Sequence, residues 1–345
     1  MLTEFLPQLT AAEWIALDTE ADSLHAYPEK MCLLQITLAE GDFLIDPLAK
    51  MDLSAFWPEL KKHQIIMHGS DYDLRLLRKN HNFVPDRIFD TMLASRLLGE
   101  KEFGLTNLVG KFLGVTLEKG SQKADWARRP LTPKMEAYAK NDTHYLKALS
   151  DILKNQLIEK NRLAWLEESC ARLIAECAVP PSPDPDRVWR IKGSHKLSRP
   201  ALAIVRELWH WREKEALGAN RPPFFILSYE PMVDIAHAAA ENQPFQEFIP
   251  RHLNSRRRDT LLEAVHAGLA VPPEQHPDYI RNFSRRQTDA EQQRFQQLEQ
   301  TRNKRAEELG LDPTVIASRA TLLALSSDWE GHKSELMNWQ RELLS

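Results

Sequence analysis

Residues 14–20 read Trp-Ile-Ala-Leu-Asp-Thr-Glu. The apolar run 14–17 predicts a short buried strand, ending at Asp18. On an extended chain a residue and its second neighbour point to the same side, so Asp18 and Glu20 aim two carboxylates into one space. Taken alone, one Asp-x-Glu in a chain of 345 residues is more often a solvated strand end than a site.

Working outward, residues 31–38 (MCLLQITL) and 42–46 (DFLID) predict a hairpin with Gly41 in its turn. Residues 53–62 read as helix and 64–67 as a second buried strand. After Ser70, Leu74 and Leu77 have helical spacing, and further helices are expected over 89–98, over 105–113 and from Pro133 onward. Early strands followed by interleaved helices and strands define an α/β domain with a mixed sheet. At the junction of the 64–67 strand and the next helix stands His68-Gly69-Ser70-Asp71-Tyr72-Asp73. Ser70 and Asp73 there also fit the N-cap and third position of a capping box. Further on, Tyr138-Ala139-Lys140-Asn141-Asp142 puts Tyr138 and Asp142 on one helix face, with Cβ atoms about 5–6 Å apart. By itself that pentad reads as a buried Tyr beside a surface Asp.

The proline-rich stretch 179–185 (VPPSPDP) cannot continue a helix, because proline lacks the amide donor and clashes with the preceding turn. Beyond it the chain reads as helix over 200–217, 230–239 and 260–269, then a polar run 287–309 and two shorter segments. No strict internal repeat is visible. The expected organisation is an α/β domain over 1–178, a linker over 179–193, a helical domain over 194–275 and a second helical domain over 276–345.

Composition sets limits. With 43% hydrophobic and 27% charged residues the chain can bury a core. No stretch approaches the ~18 consecutive apolar residues of a membrane helix, and the N-terminus lacks the basic and apolar regions of a secretory signal. Cys32, Cys170 and Cys177 have no paired spacing, which argues against a disulfide framework or a zinc site and for a reducing, cytoplasmic location. A net charge of −4 neither supports nor excludes nucleic acid. The basic clusters Arg128-Arg129, Arg256-Arg257-Arg258 and Arg285-Arg286 each read singly as solvated surface.

The combination is more specific than its parts. Asp18 and Glu20 after a first strand, Asp73 at the head of a mid-domain helix, and Tyr138 with Asp142 on a later one stand in the order of the DEDDy exonucleases, whose domain is RNase H-like (DnaQ-like). Residues 117–132 (LEKGSQKADWARRPLT) resemble the segment before the third motif in the ribonuclease D branch, and Phe103-Gly104-Leu105 with Leu108 is similar to that branch's helix entry. In the helical half, Leu202, Leu208, Trp211-Arg212, Ala216 and Pro222-Pro223 resemble an HRDC domain, with Trp211 expected in its core. Residues 310–319 resemble the family's C-terminal part, implying a second, divergent HRDC-like bundle.

The resemblance implies a 3′→5′ exoribonuclease that releases nucleoside 5′-monophosphates. It implies two divalent cations, Mg²⁺ or Mn²⁺, on Asp18, Glu20, Asp73 and Asp142, with Asp18 bridging both and Tyr138 placing the attacking water. Lys123, Arg128 and Arg129 would contact the substrate backbone, while His68 reads as a satisfied core histidine or as a support behind the metal ligands. The implied partner is RNA with a free 3′ end, tRNA precursors among them; a monomer without membrane attachment is expected. A DNA exonuclease and a catalytically silent RNA-binding scaffold are the competing readings. The chemistry fits the residue types. Two hard cations about 3.5–4 Å apart activate water and relieve charge on the leaving oxygen, and they take oxygen ligands. Without them, two carboxylates 4 Å apart repel by about 4 kcal/mol at an effective dielectric near 20.

Overall fold

A computed structural model describes residues 2–49, 51–118, 120–280 and 287–345. Lys119 of the 117–132 stretch and the Arg285-Arg286 pair lie outside the described residues. The chain forms two compact units. One comprises Met1–Ala21, Met31–Pro180 and Arg285–Ser345, the other Asp22–Lys30 and Pro181–Ser284.

The first unit is built on a five-stranded sheet of β1 (Ile15–Ala21), β2 (Met31–Leu38), β3 (Gly41–Ile45), β4 (Gln64–Met67) and β5 (Arg87–Asp90), in the order β3-β2-β1-β4-β5. β1, β2 and β3 pair antiparallel, whereas β4 and β5 run parallel to β1, so the sheet is mixed as expected. All eight side chains of β2 are buried, which accounts for its near-continuous apolar run: both faces of the sheet are covered. Helix Pro133–His144 covers one face of β1–β3. Leu146, Leu149, Leu153 and Leu157 form the apolar stripe of helix Leu146–Glu159 and join the main core together with Leu74 and Leu77.

Two local expectations are corrected, and one helix is added. β1 continues through Asp18 and Glu20 to Ala21, because its pairing with β2 persists past the apolar residues, so Asp18 lies within the strand. β5 falls where a helix was expected to begin at residue 89; it has only four residues, too few for periodicity to reveal, and its last, Asp90, caps helix Thr91–Leu97. An N-terminal helix, Leu2–Ala11, precedes the sheet despite Pro7.

The second unit contains helices Arg199–Ala219, Pro223–Ile226, Tyr229–Ala240 and Ser255–Leu269. Its core includes Leu202, Leu208, Met232, Leu261 and Trp211, whose indole Nε1 donates to Thr260 Oγ1 at 3.0 Å. The unit boundary falls inside the proline run, at Pro180. Trp189 and Ile191, however, are buried in this core, so the expected linker 179–193 ends earlier than its composition suggested. Residues 22–30 also belong here: the Tyr27 hydroxyl donates to Glu213, and the Tyr27 amide to Asn220 Oδ1.

Residues 276–345 do not form a separate body. Phe295, Ala306, Ile316, Leu322 and Trp339 share the core of the first unit's sheet, and Trp339 stacks on Trp165 at 4.8 Å. Arg162 ties the parts together, donating to the carbonyls of Leu97 at 2.8 Å and Leu309 at 2.7 Å. The structure also shows a repeat that the sequence hid. Helices Arg199–Ala219 and Asp289–Leu309 both have 21 residues and end on a left-handed residue, Asn220 or Gly310. Each is followed by a four-residue helix opening on proline, Pro223–Ile226 or Pro313–Ile316, and then by a helix with serine at its N-cap, Ser228 or Ser318. Each long helix buries an arginine at the corresponding place, Arg212 or Arg302. Among the described residues no helix is long and apolar enough to cross a membrane.

Gly268 sets the approach of helices Arg199–Ala219 and Ser255–Leu269, for a Cβ there would stand 2.5 Å from the Ile204 Cα. Gly268→Ala is expected to destabilise the helical unit by about 1–3 kcal/mol through overpacking. Urea unfolding followed by tryptophan fluorescence measures this, and an unchanged midpoint would contradict it.

Candidate active site

The site lies at the carboxyl ends of β1, β4 and β5, where the sheet opens. β1 pairs with β4 only at Ile15–Ile65 and Ala16–Ile66, so beyond Ala16 one edge of β1 is released from β4. A cleft of about 600 Å³ forms there, lined by Asp18, Thr19, Glu20, His68, Tyr138 and Asp142, together with Asn107, Gln122 and Asn141.

Each acid is held by a different device. Asp18 and Glu20 share a strand face. Asp73, in the first turn of helix Asp71–His81, is buried and accepts from Thr19 Oγ1 at 2.5 Å. Tyr138 and Asp142 lie one turn apart on helix Pro133–His144. That helix is fixed at its start by Thr132, which accepts from the Met135 amide at 3.2 Å. At its end Thr37 Oγ1 lies 2.7 Å from Thr143 Oγ1, and His144 Nδ1 lies 2.8 Å from Asp42.

Asp90, which sequence reasoning missed, positions the turn that carries Asp73. It is fully buried and accepts from the amides of Gly69 and Ser70, the Ser70 hydroxyl, and the amides of Met92 and Leu93, at 2.8–3.1 Å. The Ser70 hydroxyl is thereby engaged, and the expected capping box of Ser70 with Asp73 does not form. The available signal was an Asp directly before a helical stretch, a common N-cap pattern. His68 is not a core histidine closed off from the site: it lines the cleft, with Nδ1 2.9 Å from Thr91 Oγ1. Thr91 Oγ1 donates to the Met67 carbonyl, so it accepts from His68 Nδ1–H. Burial lowers the His68 pKa, favouring the neutral ring.

The electrostatics are those of crowded anions. Ligand oxygens of Asp18, Glu20 and Asp142 all lie within 4.8 Å of one another. Burial, then repulsion from Asp73, Asp142 and Glu20, raises Asp18 well above the usual carboxylate range. Burial, then Asp142 and Asp73, pushes Glu20 up to about 9. Asp142 is raised to about 7 by burial and Asp73, against a lowering hydrogen bond from Tyr138. Asp73 is raised to about 6, chiefly by burial, while Thr19 pulls the other way. Burial and then the three neighbouring acids raise the Tyr138 hydroxyl, which therefore keeps its proton. This all-oxygen donor set suits a hard divalent cation, whose charge would relieve the repulsion that the fold imposes.

The basic candidates divide. Arg129 uses all five guanidinium donors inside the protein: on both Asp46 oxygens at 2.6 and 2.7 Å, and on the carbonyls of Cys32, Trp126 and Arg128 at 2.7–2.8 Å. It clamps the 121–131 segment to the sheet and has no donor left for phosphate. Lys123 and Arg128 are exposed. Arg256 and Arg257 pair with Glu215, and Arg258 donates to the carbonyls of Leu253 and Pro250, so that cluster is structural surface as its composition suggested.

Comparisons with known proteins agree with the fold. A family model described as 3′-5′ exonuclease matches residues 1–158, and one described as HRDC domain matches residues 201–243. Ribonuclease D of Xanthomonas oryzae is 30% identical over 343 residues, covering 96% of this chain and 90% of its own. A crystal structure of a protein from Bifidobacterium adolescentis superposes with a TM-score of 0.87 at 25% identity, covering 99% of this chain and 92% of that one. Escherichia coli RNase D shares the fold, with a TM-score of 0.74 at 22% identity over 99% of this chain and 96% of its own. Fold and sequence together define a 3′-5′ exonuclease domain followed by a helical HRDC region. The chain belongs to the ribonuclease D family.

The raised carboxylates make a linked prediction. Unfolded, these acids titrate near pH 4. Folded, they bind more protons up to about pH 9, so metal-free stability must fall as pH rises from 5 to 9. Melting temperatures of EDTA-treated protein should show this fall, flattened in Glu20→Gln. Mn²⁺ should raise the melting temperature more at pH 8 than at pH 5. A metal effect independent of pH would contradict the assignment.

Proposed function

We infer that this 3′→5′ exoribonuclease removes nucleoside 5′-monophosphates from RNA with two divalent cations, Mg²⁺ or Mn²⁺. The observation that carries the reading is the convergence of Asp18, Glu20 and Asp142 within 4.8 Å, with Asp73 beside them. In this reading Asp18, Glu20, Asp73 and Asp142 would hold the cations, with Asp18 shared between them. When bound, the pair supplies an activated water and neutralises charge on the departing 3′-oxygen.

The protein's own groups do the positioning. Tyr138 keeps its proton, so it would orient the attacking water and not deprotonate it. Thr19 fixes Asp73, and Asp90 fixes the turn that presents it. Lys123 and Arg128 are proposed to meet the substrate backbone as it leaves the cleft; Arg129 is reassigned to holding their segment in place.

We further propose that residues 1–178 carry the reaction, and that 194–275 and 276–345 each contribute an HRDC-like set of helices that engages RNA, the second without forming a body of its own. The matched series of helices supports the repeat. RNA with a free 3′ end, tRNA precursors among them, is the proposed substrate, and a cytoplasmic monomer the proposed form. Three buried thiols not joined in disulfides are consistent with that compartment.

On 5′-labelled single-stranded RNA the protein should give a ladder from the 3′ end that EDTA abolishes. Asp18→Ala should lower the rate by more than about a hundredfold, since even groups one step removed from a metal cost 10–100-fold. Equal cutting of matched DNA would keep the mechanism and change the substrate. RNA binding with no metal-dependent cutting would favour a scaffold.

The basic residues separate by salt dependence. Lys123→Ala and Arg128→Ala should each raise KM and reduce the slope of log affinity on log salt by about 0.7, one phosphate contact on a single strand. Arg129→Gln should lower the melting temperature and leave that slope unchanged. The reverse pattern would reinstate Arg129 as the phosphate contact.

A further inference from the structure

Gln35 is a buried amide without a protein partner. It sits in the middle of β2, fully buried, and neither its Nε2 nor its Oε1 makes a hydrogen bond. Burying an unpaired amide costs on the order of 1–3 kcal/mol. Its neighbours along β2, Leu33, Leu34, Ile36 and Thr37, are buried too, and of them Thr37 alone is polar, with its hydroxyl bonded.

Its register explains what it faces. Gln35 pairs directly across from Asp18 on β1, and from Leu44 on β3. Directly opposed residues of an antiparallel pair project to the same face, with Cβ atoms roughly 4.5–5.5 Å apart. Along β2 that face also carries Leu33 and Thr37. Thr37 is already engaged with Asp42 at 2.7 Å and with Thr143 at 2.7 Å, the latter on the helix that carries Asp142. Of these four neighbours only Asp18 offers a carboxylate, and in the proposed reading it would hold both cations.

We propose that Gln35 is a positioning residue of the catalytic centre, whose side-chain amide N–H holds the Asp18 carboxylate in the orientation that ligates metal. A neutral donor suits this place. It fixes a carboxylate oxygen without bringing a charge that would compete with the cations, as a lysine or arginine would. The two ends of the amide also match either form of Asp18, since Oε1 accepts from a carboxyl and Nε2 donates to a carboxylate. The inference rests on the metal-binding reading of the four acids.

The test uses the full chain, with Gln35→Met and Gln35→Leu beside Asp18→Asn. Three quantities are measured: the melting temperature without metal, Mn²⁺ affinity by titration calorimetry, and kcat and KM on single-stranded RNA. Both Gln35 variants should melt at or above the parent temperature without metal, because an unpaired amide has been removed. Mn²⁺ affinity should fall about tenfold or more, and kcat should fall with KM unchanged. Unaltered Mn²⁺ affinity and kcat would overturn the inference. So would a lowered metal-free melting temperature in both variants, which would make the amide a support of the sheet. If Asp18→Asn loses Mn²⁺ affinity and the Gln35 variants do not, only this inference fails. If Asp18→Asn binds Mn²⁺ as the parent does, the metal-site reading fails with it.

Discussion

Mutual repulsion among Asp18, Glu20 and Asp142 at one cleft, with Asp73 buried beside it, is the constraint to which the rest of the structure answers. Left to themselves, Asp18, Glu20, Asp73 and Asp142 would separate; at about 4 Å a single pair costs several kcal/mol. They are kept together because each hangs from an element fixed elsewhere. β1 is locked by its ladder with β2, helix Pro133–His144 by Thr37 and Asp42, and the Asp73 turn by Asp90. The acids respond in the one way open to them without a cation, by holding protons. The fold therefore stores an affinity for positive charge, and the binding site and its pH dependence are one property.

How much of this was legible depends on what each residue interacts with. Asp18 and Glu20 were readable because strand geometry alone places them together, and Tyr138 with Asp142 because helix geometry does. Joining the pairs needed the ordered motif, since no local pattern says that residue 18 meets residue 142. The apolar runs gave β2 and β4, while β5 escaped because four residues carry no period. Asp90 and Gln35 were invisible for a different reason. Their meaning lies in five donors brought from two turns and in a cross-strand register, neither of which one sequence displays. Arg129 was visible but misjudged: an Arg-Arg pair advertises charge, and only the fold reveals that one guanidinium is wholly engaged.

The helical half follows the same logic. Its repeat was hidden because the two copies keep only the positions that local geometry demands. These are a left-handed helix end, a proline opening the next turn, a serine cap and a buried arginine. The remaining surface of each copy follows its surroundings. In the second copy Val315 packs against the core of the sheet unit, whereas the first copy carries exposed Phe224 and Phe225 on its own short helix. Composition thus misled about 276–345, since a polar helix such as Asp289–Leu309 looks autonomous. Its few apolar residues, Phe295, Leu298 and Ala306, suffice because they enter a core that already exists.

Buried polar groups near the cleft sort by whether their partners are present. Asp90 and Arg129 are saturated, and saturated groups rigidify what they touch without taking part in chemistry. Gln35 is unsaturated in the interior, His68 borders the cleft, and the acids lack counter-charges. An unpaired amide inside a sheet asks for a partner, which water, an ion or another state of the protein can supply. Unpaired buried groups occur elsewhere too, on Trp189 and Trp339 among them, so incompleteness alone does not mark the centre. What sets the cleft apart is that its incomplete groups are acids of one sign gathered within 4.8 Å, held by neighbours that are themselves complete.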